Sequence, residues 1–282
     1  MVLAHPRPGP AAAHRAAEIA CTPGPCPLAP WRWQSPLLRG AMTQRVPEFQ
    51  FSDDALVVRQ FLYEHWCAHG RGPTLRAVHE KTGLSRERIV DAYRQLDLGL
   101  TCTVDLETQN CNLMKLQPFA SFPSQVEVHL DGRFHSYAGC AMESIALSKM
   151  PPFAGKEVRL DSFCACCLAP VTIATRDGEL LSQAPATVLI HVSSSPRDWN
   201  TTNIICMCDS MNYVLDADHA LAYERQICRR GVLFTLEQAR RFVASTGTSR
   251  MWNYAWPPVT FHPERVIAGI KALGVDVSNW GA

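Results

Sequence analysis

The chain has 282 residues, of which 47% are hydrophobic and 19% charged, with a formal net charge of +1. That composition can bury a core and excludes a chain disordered throughout. Near-neutrality excludes binding a polyanion by bulk charge alone, and the lack of any run of about 18 apolar residues excludes a membrane-spanning helix.

Residues 1–41 hold eight of the 20 prolines, four arginines and one acid, Glu18. Such Pro/Ala-rich sequence buries too little surface to offset its ordering entropy and is expected to be a disordered extension. It contains no continuous apolar stretch of the secretory type. The twelve cysteines include crowded groups (Cys164, Cys166 and Cys167; Cys206 and Cys208). Crowding suits thiol or metal chemistry better than spaced disulfides, so a reducing, cytoplasmic compartment is expected.

Residues 42–105 are expected to form a helix-turn-helix or winged-helix-like unit. Ser52 can cap a helix through Leu56, Phe61, Leu62 and Trp66 that ends near Gly70. A second helix over 74–80 closes at Gly83, and Ser85 caps a third carrying Ile89, Val90, Tyr93 and Leu96 on one face. The stretch from Thr74 to Leu100 has five basic against four acidic residues. That balance argues against a nucleic-acid partner.

From residue 106 to 282 the pattern turns to strands. Alternation over 126–130 leads through Asp131-Gly132, a tight-turn pair, into 133–137. Further strands are expected over 156–160, 171–175, 187–192 and 203–208, with a short helix over 141–149. Thr235 and Gln238 have capping-box spacing for a helix reaching Val243. An aromatic, proline-punctuated segment over 247–258 precedes a last helix over 263–273. The expected fold class is α+β: the helical unit, then a mixed β-sheet catalytic domain with flanking helices and a C-terminal extension from about 248.

Three cysteine sites carry candidate chemistry. Cys140 follows a strand and opens a helix, where a thiolate is favoured. Glu143 lies one turn on, so carboxyl and sulfur can meet and exchange a proton. A buried structural Cys beside a capping Glu would give the same pattern. Cys164 and Cys167 have half-knuckle spacing, which Cys206 and Cys208 could complete as a four-thiolate zinc site, although C-x-C is a poor partner spacing. If 203–208 is a strand, Cys206 and Cys208 share a face. Either could then approach Cys140, making a soft site of two thiols and a carboxyl.

The stretch Y-A-G-C-A-M-E-S, followed by G-K-E-V-R-L-D-S-F-C-A-C-C-L-A-P-V-T-I, resembles the alkylmercury lyases (organomercurial lyases). That family has a Cys-x-x-Asp pair, a second Cys about two dozen residues on in a strand turn ending A-P-V, and a third Cys on a later strand. It begins with a winged-helix-like unit. The resemblance spans roughly residues 50–245. It implies that Cys140 is the first catalytic cysteine and mercury ligand, and that Cys208 is the second, with Cys206 the alternative register. Glu143 stands at the family's Asp position, one methylene longer, as proton donor and metal neighbour, and Cys164 matches a largely structural cysteine.

The resemblance implies protonolysis of a carbon–mercury bond, giving a hydrocarbon and a mercuric ion. No cofactor is expected to be required, and mercuric ion remains as bound product. The implied partners are an organomercurial substrate and, as acceptors of the ion, low-molecular-weight thiols or mercuric reductase, with no membrane. Two alternatives remain open: a thiol-based metal-binding or metal-sensing protein using the helix-turn-helix, and a lyase-fold member with altered activity.

Overall fold

The computed structural model describes residues 50–199, 204–246 and 262–281. The expected extension over 1–41 and the aromatic segment over 247–258 lie outside the described residues. Among the described residues no helix is long and apolar enough to cross a membrane.

Three capped helices come first. In α1 (Asp53–His69) the Ser52 hydroxyl accepts from the Ala55 N–H at 3.2 Å, and Asp53 and Asp54 place negative charge at the positive helix end. Its C-terminus stops at Gly70, which has φ 69°. A Cβ there would also lie 1.8 Å from the His135 carbonyl oxygen, so the helix end can approach the sheet only because residue 70 is glycine. Thr74 caps α2 (Leu75–Thr82) and Ser85 caps α3 (Arg86–Leu98). Val58, Leu62, Trp66, Val78, Ile89, Tyr93 and Leu96 are fully buried between the three helices and the sheet beyond.

The chain then forms an eight-stranded sheet from β1 (Cys102–Asp105), β2 (Asn112–Leu116), β3 (Phe119–Ala120), β4 (Glu127–Leu130), β5 (Arg133–Ala138), β6 (Val158–Phe163), β7 (Pro170–Arg176) and β8 (Glu179–Ala184). The spatial order is β1-β2-β3-β5-β4-β6-β7-β8. A second sheet has the order β10-β9-β11, from β9 (Leu189–Val192), β10 (Met211–Val214) and β11 (Val232–Thr235). Helix α4 (Ala141–Ser144) follows β5, α5 (Ile204–Asp209) precedes β10, α6 (Ala217–Ile227) follows it, and α7 (Leu236–Thr246) follows β11. The last helix, α8, covers Pro263–Ala272.

The α+β class holds, but the expected mixed sheet does not: every described pairing is antiparallel. Tight turns account for part of this, because a two-residue link can only reverse the chain, whereas a parallel pair needs a long crossover. Asp131 and Gly132, with φ 47° and 79°, join β4 to β5 as the sequence indicated, and Asp177-Gly178 joins β7 to β8 in the same way. Strand β8 was not foreseen; its residues are largely exposed, so no buried face marks it.

The expected strand over 203–208 is instead helix α5. The short apolar run I-I-C-M-C has no polar alternation, and periodicity alone cannot assign such a run. The capping box at α7 is reciprocal: Gln238 N–H donates to Thr235 Oγ1 at 3.2 Å, and Gln238 Oε1 accepts from the Thr235 N–H at 2.9 Å.

Candidate active site

The site forms where β5 runs into α4. The backbone stays extended through Cys140 (φ −165°, ψ 172°), which leaves its side chain at the N-cap of α4. There the Cys140 sulfur accepts the Glu143 N–H at 3.4 Å, the part that Ser or Thr hydroxyls play in α1–α3. The same bond fixes the start of the Glu143 side chain. Cys208 arrives on α5, just before the turn into β10, and its thiol lies 3.8 Å from Glu143 Oε2. The ligating atoms of Cys140, Glu143 and Cys208 all lie within 4.8 Å of one another. Both cysteines are 1% exposed.

Neighbours fix this arrangement. The Tyr213 hydroxyl on β10 donates to the Ala141 carbonyl at 3.1 Å and lies 2.8 Å from Ser144 Oγ, tying α4 to β10. Met211 Sδ sits 3.9 Å from the Cys140 sulfur. Gly139 precedes Cys140, and a Cβ at that position would come 2.9 Å from Glu143 Oε2. Glycine there leaves the room that the longer Glu side chain occupies.

Lys115, on β2, is the residue that sequence reasoning missed. It is 1% exposed, and its ammonium donates to the Gly139 carbonyl at 3.2 Å and to Asp209 Oδ1 at 2.8 Å. It therefore bridges the residue before Cys140 to the residue after Cys208. Its one sequence signal is a lysine amid apolar residues in N-L-M-K-L. Burial alone would lower its pKa, but the Cys208 thiol, Asp209 and Cys140 together push it up, so Lys115 stays charged.

The Cys140 thiol in contact with Cys208, burial, and the Glu143 carboxylate together push the Cys208 pKa well above the ordinary thiol range, while Lys115 opposes them. At neutral pH Cys208 therefore carries a proton, and the nearest carboxylate oxygen is that of Glu143. A thiophilic atom entering the pocket would displace that proton onto Glu143.

The other candidates lie elsewhere. Cys164 is fully buried against Val214 and Ala220 in a separate small cluster. Because Cys208 sits with Cys140 and Glu143, the four-thiolate zinc reading with Cys164 and Cys167 fails. The two-residue repeat that paired Cys206 with Cys208 holds for a strand and not for helix α5; the Cys206 side chain lies outside the described residues. A surface cleft lined by Gly72, Thr74, Arg76, Cys111 and Ser121 shares no residue with the thiol cluster.

Two buried thiols against a carboxyl, mounted on an antiparallel α+β frame, define a proton-equipped site for a soft, sulfur-seeking atom. Residues 119–246 match the model of the MerB alkylmercury lyase family, and over this segment the resemblance read from the sequence is shown. The crystal structure of the mercury-bound form of MerB2 shares the fold, with a TM-score of 0.57 at 17% identity over 73% of this chain and 93% of that one. No curated protein matches the chain.

Proposed function

We propose that the protein is an organomercurial lyase-like enzyme that cleaves carbon–mercury bonds by thiolate-assisted protonolysis. The observation that carries this reading is the buried trio of Cys140, Glu143 and Cys208, with all three ligating atoms within 4.8 Å. In the proposed reaction one thiol binds mercury and its proton passes to Glu143. The second sulfur then joins the metal and weakens its bond to carbon. Protonated Glu143 delivers the proton to that carbon, and the hydrocarbon leaves. Two thiols and one organomercurial salt thus give a bis-thiolate mercuric complex, a hydrocarbon and one equivalent of acid. Glu143 does the work of the family's Asp, and Gly139 leaves space for its extra methylene.

No cofactor enters this scheme. The bound mercuric ion is product and passes to a low-molecular-weight thiol or to mercuric reductase in a reducing cytoplasm. We read the 42–105 segment, which holds α1–α3 and β1, as a winged-helix-like unit that supports the catalytic part over 106–282 and does not read DNA.

The test is benzene release from phenylmercury under excess thiol, measured together with mercury bound per chain. Cys140→Ser and Cys208→Ser should each abolish release, since one sulfur cannot activate the bond. Glu143→Gln should keep mercury bound and still slow release, because an amide cannot donate the proton. Full turnover in either Ser variant, or unchanged turnover in Glu143→Gln, overturns the assignment.

A further inference from the structure

Three more thiols gather away from this site, in the turn over 164–169 that links β6 to β7. The Cys164 N–H donates to the Ala169 carbonyl at 2.8 Å, the Leu168 N–H donates to the Cys164 carbonyl at 2.8 Å, and Leu168 has φ 63°. This folds Cys164-x-x-Cys167 back on itself. The turn sets the Cys164 and Cys167 thiols on neighbouring positions, and burial together with the Cys164 thiol pushes the Cys167 pKa up.

The turn is anchored from α6. Gln226 Nε2 donates to the Cys166 carbonyl at 3.2 Å and lies 3.8 Å from the Cys166 sulfur. The Asp216 carboxylate, at the N-cap of α6, interacts with both the Cys166 and Cys167 thiols. Cys164 is buried, Cys166 half-buried and Cys167 exposed, so the pair has a fixed inner member and an outer member open to solvent.

We propose that Cys164 and Cys167 form a second metal site, which takes a soft, thiophilic d10 cation satisfied by two sulfurs. Among the described residues no third ligating atom from Cys, His, Asp or Glu closes tightly on this pair, as it does around Cys140. A cation demanding four close protein ligands, such as zinc, is therefore not served, whereas mercuric ion is. Binding replaces two S–H bonds with two S–metal bonds and releases two protons to water. The site needs neither Cys140 nor Cys208, so it stands whether or not the chain cleaves carbon–mercury bonds.

The experiment uses the full, reduced chain carrying Cys140→Ser and Cys208→Ser. Mercuric chloride is added with excess glutathione to suppress capture by single thiols, and retained mercury is counted after desalting. Adding Cys167→Ser should remove one mercury per chain, with the thermal melt unchanged because Cys167 is exposed. Adding Cys228→Ser, another exposed cysteine outside the turn, should remove none. Equal retention with and without Cys167→Ser, or stoichiometric zinc held in place of mercury, overturns the proposal.

Discussion

Replacing Lys115 by Met keeps an unbranched side chain one atom shorter and removes its charge. The effect can be worked from its two partners. Asp209 is 60% exposed, and losing an ion pair at such a group costs only about 0–1 kcal/mol. The Gly139 carbonyl loses a charged donor in a buried setting, which costs about 1.5–3 kcal/mol. Most of the damage therefore falls on the residue before Cys140. Because the same ammonium also holds the residue after Cys208, the two sulfurs should lose their fixed spacing. Displacements near 1 Å at a reacting centre cost up to about 100-fold in rate. Benzene release by Lys115→Met should fall about 10- to 100-fold, with mercury binding less affected. Asp209→Asn, which keeps the Lys115–Gly139 contact, should lose no more than about threefold. Wild-type turnover in Lys115→Met, with an unchanged melt, would refute the bridge.

Three further outcomes are expected. Gly139→Ala puts a methyl against Glu143 Oε2 and should slow hydrocarbon release, with Glu143→Asp restoring part of it in the double variant; turnover measurements on the pair decide this, and additive losses would contradict the steric coupling. Burial pushes the Asp97 carboxyl up to about 7, so the native state holds a proton that the unfolded chain releases near pH 4. Its contribution to stability is therefore present at low pH and lost as pH rises toward 7. Asp97→Asn should flatten that slope in denaturant titrations and stabilise the protein at pH 7.5 by on the order of 2 kcal/mol, and an unchanged slope would count against the shift. Contact with Cys140 and burial raise the Cys208 pKa, and burial raises those of Cys102, Tyr63, Tyr93 and Tyr213. The unfolded state loses these protons first, so stability should fall above about pH 8.5, read as a falling melting temperature between pH 8 and 10.5.

What the sequence disclosed follows from how local each signal is. Ser52 and Ser85 act within one helical turn, and the Asp131-Gly132 turn acts within two residues, so all were legible. Cys140 and Glu143 were legible together because three residues along a helix start bring them side by side. The placement of Cys208 depends on β10 packing against α4, a contact across some 70 residues. The segment before it was misread as a strand because an apolar run of that length has no distinctive period. Lys115 was invisible because its meaning lies in two carbonyl and carboxylate partners that are distant in sequence. A lysine on a strand ordinarily faces solvent.

The bridge made by Lys115 also bears on modularity. The family match begins at residue 119, yet this ammonium reaches the site from β2, upstream of that boundary. On the same stretch of chain, the Tyr63 hydroxyl of α1 donates to the Gln117 carbonyl at 2.8 Å, and the Pro118 carbonyl accepts the Gly139 N–H at 2.6 Å. The helical unit thus holds the loop that abuts the residue before Cys140. A fragment trimmed to the matched segment would keep both thiols and the carboxyl while losing the brace between them. Grafts or chimeras that exchange everything before residue 119 therefore inherit a constraint: the donor must supply a cation at position 115 and an anchor for the 117–118 loop.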